Sequence, residues 1–99
     1  MRLTHHQVEV VRETVAAMFG STATVHLFGS RVDDAALGGD IDLLVETDEM
    51  LENRAAAASR LAAALQLRLG DQRIDVVLVD AATPLLPVHR AARREGIRL

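Results

Sequence analysis

The sequence predicts a single small α+β domain, residues 1–99, built on a mixed β-sheet of three or four strands flanked by helices. Three observations point there. Short apolar runs bounded by turn residues occupy 24–28, 40–46 and 73–79, and segments with helical spacing separate or flank them. Gly29-Ser30 closes the first run, while Asp40 and Asp42 open the second. Asp75 opens the third. If these polar ends share one place, the first two strands run antiparallel and the second and third parallel. The helix between the last two is then a crossover, expected to be right-handed.

Each element has its own signal. Thr4-His5-His6-Gln7 reads as a capping box, and Val8, Val11, Val15 and Met18 follow at helical spacing until Gly20, giving a helix over roughly 5–19. Ser21-Thr22-Ala23 is a turn before the strand 24–28. Residues 31–39 form a loop or short helix ending in Gly38-Gly39, and 40–46 form the second strand. Ile41, Leu43 and Val45 alternate with an apolar Leu44, so this strand is expected to be covered on more than one side. An alanine-rich helix spans about 49–69, with a stripe of Leu51, Ala55, Ala58, Leu61 or Ala62, Leu65 and Leu69. Gly70 ends it, and Asp71-Gln72 turns into the strand 73–79. Thr83 caps a last helix with Pro84 in its first turn, running to Glu95 before Gly96.

Composition narrows the function. With 49% hydrophobic and 25% charged residues the chain is globular rather than disordered. The absence of cysteine excludes a disulfide framework and thiolate metal sites. No apolar run approaches the roughly 20 residues that span a bilayer, and the N-terminus lacks a signal-peptide core. A cytoplasmic protein is expected. A net charge of −3 and the lack of Tyr and Trp argue against strong nucleic-acid binding. His5, His6, His26 and His89 show no metal-ligand spacing.

The chemistry sits between Gly29 and Asp75. Asp40 and Asp42, one residue apart on a strand, face the same way and repel each other unless a divalent cation or another counter-charge intervenes. The bland alternative is a pair of solvated turn residues after Gly38-Gly39. Gly29 lets backbone approach phosphate oxygens and Ser30 offers donors, although the pair alone would suit any turn. Asp75 is a third carboxylate that could hold metal or take a proton, or simply pair with Arg73. Arg31 could neutralise phosphate or pair with Asp33 or Asp34. Three carboxylates beside a small-residue turn are what phosphoryl or nucleotidyl transfer to a hydroxyl requires.

Gly29-Ser30, Asp40-x-Asp42 and the later Asp75 together resemble the signature of the DNA polymerase β-type nucleotidyltransferase superfamily. The short chain resembles its smallest branch, the minimal nucleotidyltransferases often encoded as antitoxins beside a HEPN-type toxin. The resemblance implies a polymerase β-like palm, Mg²⁺ held by catalytic Asp40, Asp42 and Asp75, and a nucleoside triphosphate, ATP as substrate, gripped at Gly29, Ser30 and Arg31. It further implies transfer of AMP to a hydroxyl, a tyrosine of a cognate helical HEPN-type toxin. The sequence departs from the common pattern at Asp33 and Asp34, where many relatives carry a basic residue and Gly, and at Gly39, where many carry Ser. Those acidic residues favour an alternative, a non-catalytic module that neutralises a helical partner by contact. Arg90, Arg93, Arg94 and Arg98 near the C-terminus read equally as a solvated face or as a partner contact.

Overall fold

A computed structural model describes residues 1–33, 39–70 and 72–99, with Ser30 described by its backbone alone. Asp34, Gly38 and Asp71, which the sequence reading placed in loops and turns, lie outside the described residues. The order is α1 (His5–Phe19), β1 (Thr24–Phe28), a one-turn 3₁₀ helix (Gly29–Val32), β2 (Ile41–Glu46), α2 (Arg54–Leu69), β3 (Ile74–Val79), α3 (Pro87–Glu95) and β4 (Ile97–Arg98). The sheet order is β3-β2-β1-β4. β1 pairs antiparallel with β2 and with β4, and β2 pairs parallel with β3, as the placement of the polar residues requires.

Local chemistry sets most boundaries. The Gln7 amide donates to Thr4 Oγ1 at 3.1 Å while the Thr4 amide donates to Gln7 Oε1 at 2.8 Å, so the capping box forms at the start of α1. α2 starts later than the expected 49. Asn53 caps it, its Oδ1 accepting from the Ala56 amide at 3.0 Å. The preceding residues are tied elsewhere: the Leu51 amide donates to Asp80 Oδ2 at 3.0 Å, and the Glu49 carbonyl accepts from the Ala81 amide. α3 likewise begins at Pro87, not at Pro84. Thr83 does not cap it, because its hydroxyl donates to Asp80 Oδ1 at 2.6 Å and closes the turn after β3. Asp80 is a buried turn residue, 8% exposed, and its hydrogen bonds hold its carboxyl below the usual range, that to Thr83 contributing most.

The two faces of the sheet carry separate cores. On one face Val25, Leu27, Ile41, Leu43, Val45, Ile74 and Leu78 meet Val10, Val11, Val15 and Phe19 of α1 and Ala57, Leu61 and Leu65 of α2. Fully burying one such side chain contributes about 1.5–3 kcal/mol, so this larger core dominates stability. On the other face Leu44 and Val79 pack under Ala92 of α3, with Phe28, Val77 and Leu85 around them. The apolar Leu44 thus reports the second covering, as expected. Arg93 fastens α3 to the sheet, its Nε donating to Glu46 Oε1 at 3.1 Å and its Nη2 also pairing with Glu46. It is therefore a clamp between α3 and β2. After α3 the chain presses so close to β1 that a Cβ on Gly96 would stand 2.4 Å from the Ala92 carbonyl oxygen and 2.7 Å from that of Leu27. Only glycine fits there, which lets β4 reach β1. No helix among the described residues is long and apolar enough to cross a membrane.

Candidate active site

Strand register assembles the carboxylates. Asp42 lies beside Phe28 on the β1 side and beside Asp75 on the β3 side. Alternation then puts Asp42, Leu44 and Glu46 of β2 on the α3 face with Asp75, Val77 and Val79 of β3. Asp40 precedes β2 with the same parity. The three aspartates therefore belong to one face, at the end of the sheet where β1 gives way to Gly29.

Gly29 is locked to Asp42. Its φ is +76°, a left-handed conformation that a side chain rarely adopts. A Cβ there would stand 2.4 Å from Asp42 Oδ2. The Asp42 carboxylate thus lies against the bare Cα of the turn, so the two halves of the motif are in contact. Ser30 follows in the same 3₁₀ turn. Burial raises the Asp42 carboxyl above the usual range, the neighbouring charges of Asp75 and Asp40 raise it further, and Arg73 opposes them.

Arg73 is the residue the sequence reading undervalued. Its Nε lies 3.4 Å from Asp40 Oδ2 and 3.6 Å from Asp75 Oδ2, so it bridges two of the three carboxylates. Its position is fixed by the parallel ladder, in which the Ile41 amide donates to the Arg73 carbonyl at 3.0 Å. The signal was available. Arg73 stands two residues before Asp75 on one strand, hence on the same face.

Arg31 is bonded to three oxygens of other segments. Its Nη1 donates to the Arg2 carbonyl at 2.9 Å, its Nε to the Gly39 carbonyl at 3.3 Å and its Nη2 to Gln72 Oε1 at 3.4 Å. Arg31 therefore ties the N-terminus, the residue before Asp40 and the entry to β3 to the Gly29 turn. Asp33 lines a cleft of about 350 Å³ between that turn and α3, together with Phe28, Gly29, Val32 and Val88.

The donor set suits a hard divalent cation, since carboxylate oxygens are the ligands Mg²⁺ prefers and the site carries surplus negative charge. Among the described residues no three acidic or histidine side chains converge tightly enough to hold a metal ion by themselves. Mg²⁺ usually completes its shell with water and substrate phosphate, so a partial protein cage is compatible with it.

A family model described as a nucleotidyltransferase domain matches residues 8–97. No curated protein and no solved structure matches the chain. The matched span runs from α1 to the first residue of β4 and includes Gly29, Ser30, Asp40, Asp42 and Asp75. The chain belongs to the nucleotidyltransferase domain family.

Proposed function

We propose that the chain transfers a nucleoside monophosphate, AMP from Mg-ATP, to a hydroxyl on a protein, the acceptor being a tyrosine of a helical HEPN-type toxin that the transfer silences. The observation that carries the transfer reading is the contact of Gly29 with Asp42, which joins a turn able to accept phosphate to a face bearing three carboxylates. Asp40, Asp42 and Asp75 would hold Mg²⁺, which supplies charge neutralisation of the phosphates. The Gly29-Ser30 turn offers backbone and hydroxyl donors to the triphosphate. Asp75, its side chain about half exposed, would also accept the proton of the acceptor hydroxyl. Arg31 orders the turn through Arg2 and Gly39. The toxin assignment rests on the sequence resemblance.

The test is thermal unfolding with and without Mg-ATP. A ligand present at a hundredfold excess over its Kd adds about 2.7 kcal/mol, a Tm rise of roughly 10–20 °C for a domain of this size. Asp42→Asn should abolish the rise, and α-labelled ATP should label the partner only with intact aspartates. A Tm indifferent to millimolar Mg-ATP would refute the transfer reading. A second reading, neutralisation by contact alone, draws on the exposed Leu86 and Val88 at the head of α3 and on acidic Asp33 beside the turn. It expects aspartate variants that still protect cells from the toxin.

A further inference from the structure

The aspartate face already contains a cation, and it belongs to the protein. Arg73 joins Asp40 to Asp75, its side chain is 74% exposed, and among the described residues these two carboxylates are what holds the guanidinium there. Its backbone is fixed by the Ile41 amide, but its long side chain can leave without disturbing the core. Exposed ion pairs are weak, each worth about 0.2–1 kcal/mol, which makes this counter-charge displaceable.

We propose that Arg73 is a built-in counter-ion of the aspartate cluster that competes with the divalent cation. It bridges Asp40 and Asp75 in the resting protein and yields when a cation arrives together with a triphosphate. The inference rests on the reading of these aspartates as the cation ligands. The two states follow from charge. A bare dication must displace a guanidinium that already neutralises two carboxylates, so it binds weakly. A dication bound to a triphosphate brings compensating negative charge, and phosphate oxygens are a strong alternative partner for the freed guanidinium. Cation and nucleotide thus load together, and the resting site avoids both unscreened repulsion and occupation by stray metal.

The experiment uses the full chain and Mn²⁺ as the probe, with free metal followed by electron paramagnetic resonance. Arg73→Gln should bind Mn²⁺ roughly threefold to tenfold more tightly than the unaltered protein, the size expected when two exposed contacts are removed. Arg73→Lys, which keeps the charge, should stay within about twofold of it, since a point charge retains most of the competition. Arg12→Gln, an equal change of net charge on α1 across the sheet, should leave the affinity where it was. The gain from Arg73→Gln should vanish when Asp75→Asn is added, and should narrow when a non-hydrolysable ATP analogue is present. If Asp75→Asn weakens Mn²⁺ binding while Arg73→Gln gains no more than Arg12→Gln, the counter-ion role is wrong and the cation site stands. If no variant shows saturable Mn²⁺ binding that depends on Asp75, both fall together.

Discussion

Gly29→Ala tests the central contact of the site, and its consequence can be worked out in two parts. A non-glycine residue at φ +76° sits in the left-handed region, at a cost of about 1–2 kcal/mol. The new Cβ would also meet Asp42 Oδ2 at 2.4 Å and Asp42 Cγ at 3.3 Å. The obstacle is the end of a short side chain, so the carboxylate swings aside, and an off-rotamer displacement adds about 0.5–1.5 kcal/mol. The sum is roughly 1.5–3.5 kcal/mol, or a Tm loss of roughly 6–28 °C at about 4–8 °C per kcal/mol. Urea unfolding of Gly29→Ala, Asp42→Ala and the double variant separates the parts. Removing the Asp42 side chain removes the clash but leaves the backbone strain, so the cycle should show a coupling of about 0.5–1.5 kcal/mol. Binding of Mg-ATP should be lost in Gly29→Ala, because Asp42 no longer faces the turn. A Gly29→Ala protein within about 0.5 kcal/mol of the parent, or a cycle without coupling, would refute the close approach of turn and carboxylate.

Two further outcomes follow from buried charge. The Asp42 carboxyl is raised above its ordinary value of 3.8, so the folded protein holds its proton more firmly than the unfolded chain does. Stability therefore falls as pH climbs from 3.8 through the raised value. Asp42→Asn, which does not titrate, should be the more stable protein at pH 7, by less than about 1 kcal/mol because solvent screens a partly exposed group, and should lose that advantage at acid pH. Urea unfolding at pH 4 and pH 7 checks both the sign and the direction of the change. His26 behaves in the opposite sense. Burial, with help from Arg98 and Arg93 and against Glu46, lowers it below 6.5, so stability should decline as pH drops below 6.5. Among the described residues its buried Nδ1 has no hydrogen-bond partner. His26→Leu should flatten that acid decline and raise stability at neutral pH by up to about 1 kcal/mol, measured in the same pH series.

The sequence was legible where one residue answers to one constraint. Thr4 and Gln7 announce a capping box that forms, and Leu44 among Ile41, Leu43 and Val45 announces a strand covered twice. Demanding that Gly29, Asp40, Asp42 and Asp75 meet was enough to derive both strand pairings. What was not legible depended on distant partners. The start of α2 moved because Leu51 is bonded to Asp80, 29 residues away. The start of α3 moved because the Thr83 hydroxyl serves the same Asp80. β4 has two residues and exists only because Gly96 lets the chain reach β1. Nor did the sequence show what Arg31 and Arg93 bond to within the fold, the carbonyls of Arg2 and Gly39 for the one and Glu46 for the other.

The parallel register of β2 and β3 has a consequence for how such a site can fail. Ile41, Leu43 and Val45 align with Ile74, Val76 and Leu78 on the face under α1 and α2, while Asp42 aligns with Asp75 on the other. Slipping β3 by one residue would drive Asp75 into the larger core and expel Ile74 and Leu78 from it. Asp42 and Asp75 are therefore written into the same zipper as the hydrophobic interior, and they cannot drift apart unless the whole domain opens. Gly29 and Ser30 have no such insurance, since they ride on one 3₁₀ turn pinned through Arg31. Natural variation that retunes this protein has a cheap target in the turn and an expensive one in the strands.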